Sequence, residues 1–311
     1  MSSRNPSSSF YLMAAAGAIL IWSTLAVSVT FCNTLNPMFI TGAALSVGGI
    51  IGLPWLRFWK MPKRLLAVGT ACMLGYHVIY FYALQLADPI GVSLIHYLWP
   101  ILIVLLGPLF VQNGKASLRC LLAGVAGFVG ALVSCRPGQL DDLSNLAGYG
   151  LAFLSAVVWA AYSLTSKRFP EVKSASVGLF CMISGLACLT LYLSSAPWPT
   201  LTTNESLALL YMGVGPMGGA FYLWDFAMKK ADHQTVAVLS YATPVLSTAF
   251  LAFYLGQGME VSIWIGAALV ALSMAMAAGG STAPQNHQST SAWFKRYSKG
   301  TTVPLGPDAQ L

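Results

Sequence analysis

Charge is what this chain lacks most. Its 311 residues carry only 16 Lys and Arg and 9 Asp and Glu, 8% of the total, where a soluble domain holds roughly 25%. Apolar residues make up 57% and the mean hydropathy is +0.70. Such a chain cannot cover its surface with polar groups in water. That excludes a soluble globular enzyme, a disordered protein and a nucleic-acid binder. Cysteine pairing is missing as well: Cys32, Cys72, Cys120, Cys135, Cys181 and Cys188 form no C-x-x-C and lie in or at the ends of apolar runs, as small hydrophobes do. No H-E-x-x-H, paired carboxylates or Ser-His-Asp set is present, so neither an enzyme nor a bound cofactor is expected.

What is present is length of apolar sequence. A helix needs about 20 apolar residues to cross a bilayer, and ten segments qualify: 10–31, 36–57, 64–86, 89–111, 115–134, 147–168, 172–194, 206–230, 233–255 and 259–279. The first is too long to be the core of a cleaved signal and is taken as a span. None alternates polar and apolar residues, so helices rather than barrel strands are expected. The expected class is an all-α membrane protein of ten transmembrane helices. Residues 1–9 and 280–311 are polar and read as tails, the second as disordered.

The positive charges fix an expected orientation. Fifteen of the 16 fall in the two tails or in alternate links: Arg4; Arg57, Lys60, Lys63 and Arg64; Lys115 and Arg119; Lys167, Arg168 and Lys173; Lys229 and Lys230; Lys295, Arg296 and Lys299. The other links hold Arg136 alone, with Asp88, Asp141, Asp142, Glu205 and Glu260. By the positive-inside rule both termini are cytoplasmic, in an inner or plasma membrane.

The chain also resembles itself. At an offset of 144, Ala87-Asp88 matches Ala231-Asp232, Tyr97-Leu-Trp-Pro100 matches Tyr241-Ala-Thr-Pro244, Val92 matches Val236 and Tyr82 aligns with Phe226. Trp22 aligns with Trp159 at an offset of 137. Residues 10–134 and 147–279 are therefore expected to be two five-helix repeats. Five is odd, so the second is inverted, as in many secondary transporters, around a central cavity.

A rise of about 1.5 Å per residue places Trp22, Tyr76, His77, Trp99, Pro100, Trp159 and Pro244 near mid-membrane, away from the interfacial belt where Trp and Tyr usually sit. Pro100, Pro244 and the Gly215-Pro-Met-Gly-Gly219 stretch loosen backbone there, which is tolerated where it is buried in protein or lines a cavity. The candidate substrate-binding residues are Trp22, Tyr76, His77, Tyr80, Tyr97, Trp99, Pro100, Trp159, Tyr241 and Pro244. His96, one turn before Trp99, is a second intramembrane histidine, ranked below His77. No Lys, Arg, Asp or Glu lies at mid-span. Asp225, near the cytoplasmic end, is four residues from Lys229, at the spacing of a helical ion pair. A site walled by rings and free of charge suits a neutral or zwitterionic apolar solute.

These features resemble the drug/metabolite transporter superfamily in its EamA-type branch: ten spans in two halves, a mid-span Trp in spans 1 and 6, and Tyr-x-x-Pro in spans 4 and 9. The resemblance covers about residues 10–279. Tyr76-His77, Tyr97-Leu-Trp-Pro100 and Trp159 are similar to that branch's amino-acid exporters. It implies a basket-shaped bundle with a central cavity that exports aromatic and other apolar amino acids or related metabolites. A monomer in the lipid bilayer is expected. The small multidrug members carry an essential Glu in their first span, where this chain has Trp22 and Ser23. Two alternatives stay open: proton-coupled efflux through a histidine, and a haem held by His77 and His96, which has no second facing pair behind it.

Overall fold

The computed structural model of the protein describes residues 8–111, 115–135, 146–258 and 260–278. Residues 1–7 and 279–311 of the tails, Arg136, Asp141 and Asp142 lie outside them, and with them Arg4, Lys295, Arg296 and Lys299, while residues 8 and 9 of the expected N-terminal tail are helical. Among the described residues there is no strand. Nine segments are long and apolar enough to cross a membrane: Ser9–Thr30, Lys63–Leu86, Pro89–Phe110, Leu118–Cys135, Leu146–Lys167, Ser174–Leu193, Thr203–Lys230, His233–Tyr254 and Val261–Ala278. A tenth apolar helix, Pro37–Ile50, is shorter.

In helical elements the chain runs α1 (Ser8–Ser23), α2 (Leu25–Thr30), α3 (Pro37–Ile50), α4 (Lys63–Leu86), α5 (Pro89–His96), α6 (Trp99–Phe110), α7 (Leu118–Cys135), α8 (Leu146–Lys167), α9 (Val177–Leu193), α10 (Thr203–Val214), α11 (Ala220–Lys230), α12 (His233–Leu239), α13 (Ala242–Tyr254) and α14 (Val261–Ala278). Short polar links set the helix starts. Asn36 caps α3, accepting from the Met38 amide at 2.8 Å, with Pro37 at the first helical position. Thr202 and Glu205 form a reciprocal capping box on α10. Asp88 and Asp232 cap α5 and α12 by a single side-chain to backbone bond each, accepting from the Gly91 and Thr235 amides at 2.8 Å.

The second expected span, 36–57, departs from a continuous helix. Its α-helix stops at Ile50, about 21 Å from its start at 1.5 Å per residue, and a 3₁₀ turn over Leu53–Phe58 follows. Pro54 has no N–H to return to the Ile50 carbonyl, so the ladder tightens at Gly52, which bonds the Gly49 carbonyl.

Spans 4, 8 and 9 break where the loosening residues predict. Pro100 and Pro244 lie in the first turns of α6 and α13, each preceded by 3₁₀-type bonds, Leu98 to Ile95 at 3.1 Å and Tyr241 to Val238 at 3.2 Å. Gly215–Gly219 widens into a π turn between α10 and α11. A further break at Thr24 splits span 1, and no Pro or Gly announces it.

Helix pairs α7–α14, α3–α9 and α4–α8 pack most extensively. Small residues allow it: a Cβ on Gly49 would lie 2.7 Å from the Met182 Cα, and one on Gly130 would lie 2.9 Å from the Gly266 carbonyl oxygen. Gly48, the first glycine of a G-x-x-x-G, seats the π turn in the same manner, 2.7 Å from the Met217 carbonyl. Outward positions are large and apolar, as acyl chains require; Phe253 is 84% and Leu109 70% exposed. All six cysteine thiols are free.

Candidate functional site

The mid-depth rings converge on one cluster. Trp22 comes from α1, Tyr76, His77 and Tyr80 from α4, His96 from α5, Trp99 from α6, and Trp159 and Tyr162 from α8. Trp22 and Trp159 meet edge-on at 5.9 Å between centroids. Tyr76 bridges Trp159 at 5.2 Å and His96 at 5.2 Å, the second contact stacked. Tyr80 lies 4.9 Å from His96, and Trp99 lies 6.4 Å from Trp159. His96, ranked second among the histidines, is therefore inside the cluster beside His77. Contacts of this kind add about 0.5–1.5 kcal/mol each beyond area burial.

Besides Tyr162, which stacks on Trp159 at 5.3 Å, two residues outside the candidate set complete the walls. Phe221 contacts Trp22, His77 and Trp159 at 5.9, 6.0 and 5.5 Å. Trp224, fully buried, contacts Trp22 at 5.4 Å and Trp99 at 5.2 Å, and its Nε1 donates to Ser163 Oγ at 3.0 Å. The 144-residue offset holds the signal for both: it carries His77 onto Phe221 and Tyr80 onto Trp224.

The other candidates fall at the margin or elsewhere. Tyr97 touches the cluster only through its neighbour His96, at 6.3 Å. Pro100 and Pro244 are buried and shape the two breaks without joining a ring contact. Tyr241 is not brought in. Its ring packs on Phe128 at 6.4 Å, among Ala131, Val245 and Val270. The break before α13 turns it toward α7, so matching Tyr97 in sequence does not give it the same direction. Trp22 belongs to the cluster by its ring, but its Nε1 is taken: it donates to the Pro216 carbonyl of the π turn at 2.9 Å.

Polar contacts within the cluster end on helix carbonyls or on serine hydroxyls. His77 Nδ1 lies 2.7 Å from the Met73 carbonyl, and His96 Nδ1 lies 2.9 Å from Ser155 Oγ. Tyr76, His77 and Tyr80 are only half-buried although their rings pack on other rings inside the bundle.

Charge collects instead at the end of the bundle bearing the basic links. Asp225 and Lys229 pair at 2.8 Å, both nearly inaccessible, as their spacing predicts. Ser166 donates to Asp225, and Lys229 also donates to the Val172 carbonyl at 2.9 Å. Lys167 donates to the Met228 and Ala231 carbonyls, and Arg168 to those of Leu109 and Phe110. These cations satisfy the carbonyls left open where α6 and α11 end. Among the described residues no group of three or more His, Cys, Asp or Glu side chains could hold a metal ion.

Apolar helices broken at mid-depth around an uncharged, ring-lined centre define a multi-pass membrane protein of the transporter class. The EamA-like transporter family matches residues 9–136 and again residues 146–279, and the chain belongs to that family. It is 36% identical over 247 residues to the aromatic amino acid exporter YddG of Ancylobacter novellus, covering 75% of this chain and 85% of that one. It is 28% identical over 273 residues to the aromatic amino acid exporter YddG of Escherichia coli, covering 81% and 91%. A solved crystal structure 32% identical superposes with a TM-score of 0.82, covering 87% of this chain and 98% of its own.

Proposed function

We propose that the protein exports aromatic and other apolar amino acids, or related metabolites, by alternating access. The observation that carries this is the ring cluster at mid-depth, where stacking faces and a few polar atoms meet with no fixed charge. The names of the similar exporters support the same substrate class. Within this reading the protein works as a monomer in the inner membrane, both termini cytoplasmic, and the half-buried faces of Tyr76, His77 and Tyr80 line a central cavity.

Residues 10–134 and 147–279 act as two inverted repeats that exchange conformations. Three observations support the duplication. One family matches each half. Asp88 and Asp232 make the same cap bond 144 residues apart. Equivalent residues also touch, Trp22 with Trp159 and His77 with Phe221, as residues do close to an axis relating two copies.

Transport has no obligatory proton coupling, because Asp225 is committed to Lys229 and no other carboxylate lies deep in a span. The test uses purified protein in liposomes loaded with labelled tryptophan. Efflux down the solute gradient is expected at equal internal and external pH. His77→Ala should lower the rate by about tenfold or more, as loss of a ring contact together with a hydrogen bond does. Efflux only under an imposed pH gradient would favour histidine-coupled transport; no efflux of any aromatic amino acid would defeat the proposal.

A further inference from the structure

The hydrogen bonds around the cluster determine which atoms donate and which accept. A carbonyl oxygen only accepts, so the 2.7 Å contact to Met73 puts the His77 proton on Nδ1. Ser155 has a single hydroxyl proton and gives it to the Ala152 carbonyl at 2.7 Å. Its oxygen therefore accepts from His96, and that proton too is on Nδ1. Tyr80 follows the same logic. Ser93 gives its proton to the Pro89 carbonyl at 2.8 Å, so the Tyr80 hydroxyl, 2.9 Å away, donates to Ser93.

Each of the three side chains is thus tied by its one proton, directly or through a serine, to a helix carbonyl. A neutral imidazole carries one N–H, so His77 Nε2 and His96 Nε2 keep bare lone pairs, and the Tyr80 oxygen keeps its own. No protein group fills these positions among the described hydrogen bonds. Neither Nε2 is sealed away from space, whereas the Nε2 of His233, elsewhere in the bundle, is sealed and unpartnered. His96 lies 5.2 Å and His77 4.5 Å from the Tyr76 ring, and Tyr80 lies 4.9 Å from His96, centroid to centroid, so the three acceptor-bearing rings border one patch around Tyr76.

Building on the export reading, we propose that this patch is an acceptor-only subsite for the protonated amine of the solute, with Ser155 and Ser93 as the positioning residues that fix its polarity. An ammonium brings three N–H donors to the three acceptors, and the Tyr76 face adds a cation–π contact. A carboxylate offers these atoms only lone pair against lone pair. The amine is then the group the patch recognises, and the acid function of an amino acid is dispensable there.

The test is equilibrium binding to the purified full chain in nanodiscs, using phenylalanine, 2-phenylethylamine and 3-phenylpropionate. The two amines are expected to bind within about tenfold of each other and the propionate at least about tenfold more weakly, the range of a lost hydrogen bond to a charged group. Ser155→Ala frees the His96 ring to move its proton to Nε2, and should narrow the gap between phenylalanine and propionate by about threefold or more. Should that variant fail to fold, His96→Asn keeps a donor toward Ser155 while deleting Nε2, and should narrow the gap likewise. Equal binding of propionate and phenylalanine by the wild type, or an unchanged gap in the variant that folds, overturns the subsite and leaves aromatic export standing. Failure of all three ligands to bind overturns both.

Discussion

The ring cluster has two unlike walls. Helices α4 and α5 contribute Tyr76, His77, Tyr80 and His96, rings that carry a polar atom and are held by bonds to backbone or serine. Helix α11 contributes Phe221 and Trp224 at the positions 144 residues on, where His77 and Tyr80 stand in the first half. One of these rings is purely hydrocarbon and the other has its single N–H committed to Ser163. Where the first wall has the His96 imidazole, the matching position is Ser240, whose hydroxyl returns to the Ala237 carbonyl. One scaffold thus presents hydrogen-bonding chemistry on one side and packing surface on the other, which suits the proposed solute, an apolar ring with a polar head.

That contrast can be broken from the packing side first. Trp224→Ala removes a fully buried indole touching Trp22 and Trp99 and should cost about 3–5 kcal/mol. Tyr80→Phe on the polar wall keeps the ring and should stay within about 1.5 kcal/mol of wild type in the same denaturant unfolding experiment in detergent. Next comes the seam between the halves. Trp22→Phe strips the indole N–H from the Pro216 carbonyl and should lose about 1–3 kcal/mol, with amide exchange faster across Gly215–Gly219 than elsewhere in the bundle. The smallest effect sharpens the comparison. Phe221→Met replaces ring with chain at similar volume, and should change stability by less than about 1.5 kcal/mol while leaving tryptophan efflux measurable.

Much of the fold was legible because the bilayer constrains it so tightly. Uninterrupted apolar length fixed where helices run, and Pro100, Pro244 and the Gly215–Gly219 stretch marked three of the breaks. The break at Thr24 left no such mark: its hydroxyl bonds the Ile21 carbonyl and Tyr211, a partner 187 residues away. Of the site, Trp22, Trp99, Trp159, His77 and His96 stood out because polar rings are unusual at that depth, whereas Trp224 was missed. Phe221 did not, since a phenylalanine in an apolar helix looks like any other core residue until the second copy is laid over the first. Tyr241 misled for the opposite reason. Its sequence match to Tyr97 preserves its place in the helix break, but side-chain direction depends on what packs against that break, and Gly127 on α7 leaves room for its ring.

The self-neutralising pair of Asp225 and Lys229 has a bearing on energetics at the level of the cell. With Asp225 and Lys229 cancelling each other, the proposed transport cycle moves no net charge through that pair, only the charge of the cargo. A zwitterion contributes none, so the membrane voltage, worth about 2.3 kcal/mol per elementary charge per 100 mV, neither drives nor opposes its passage. Under the proposed export, an amine stripped of its acid group would carry a full positive charge against that field on the way out.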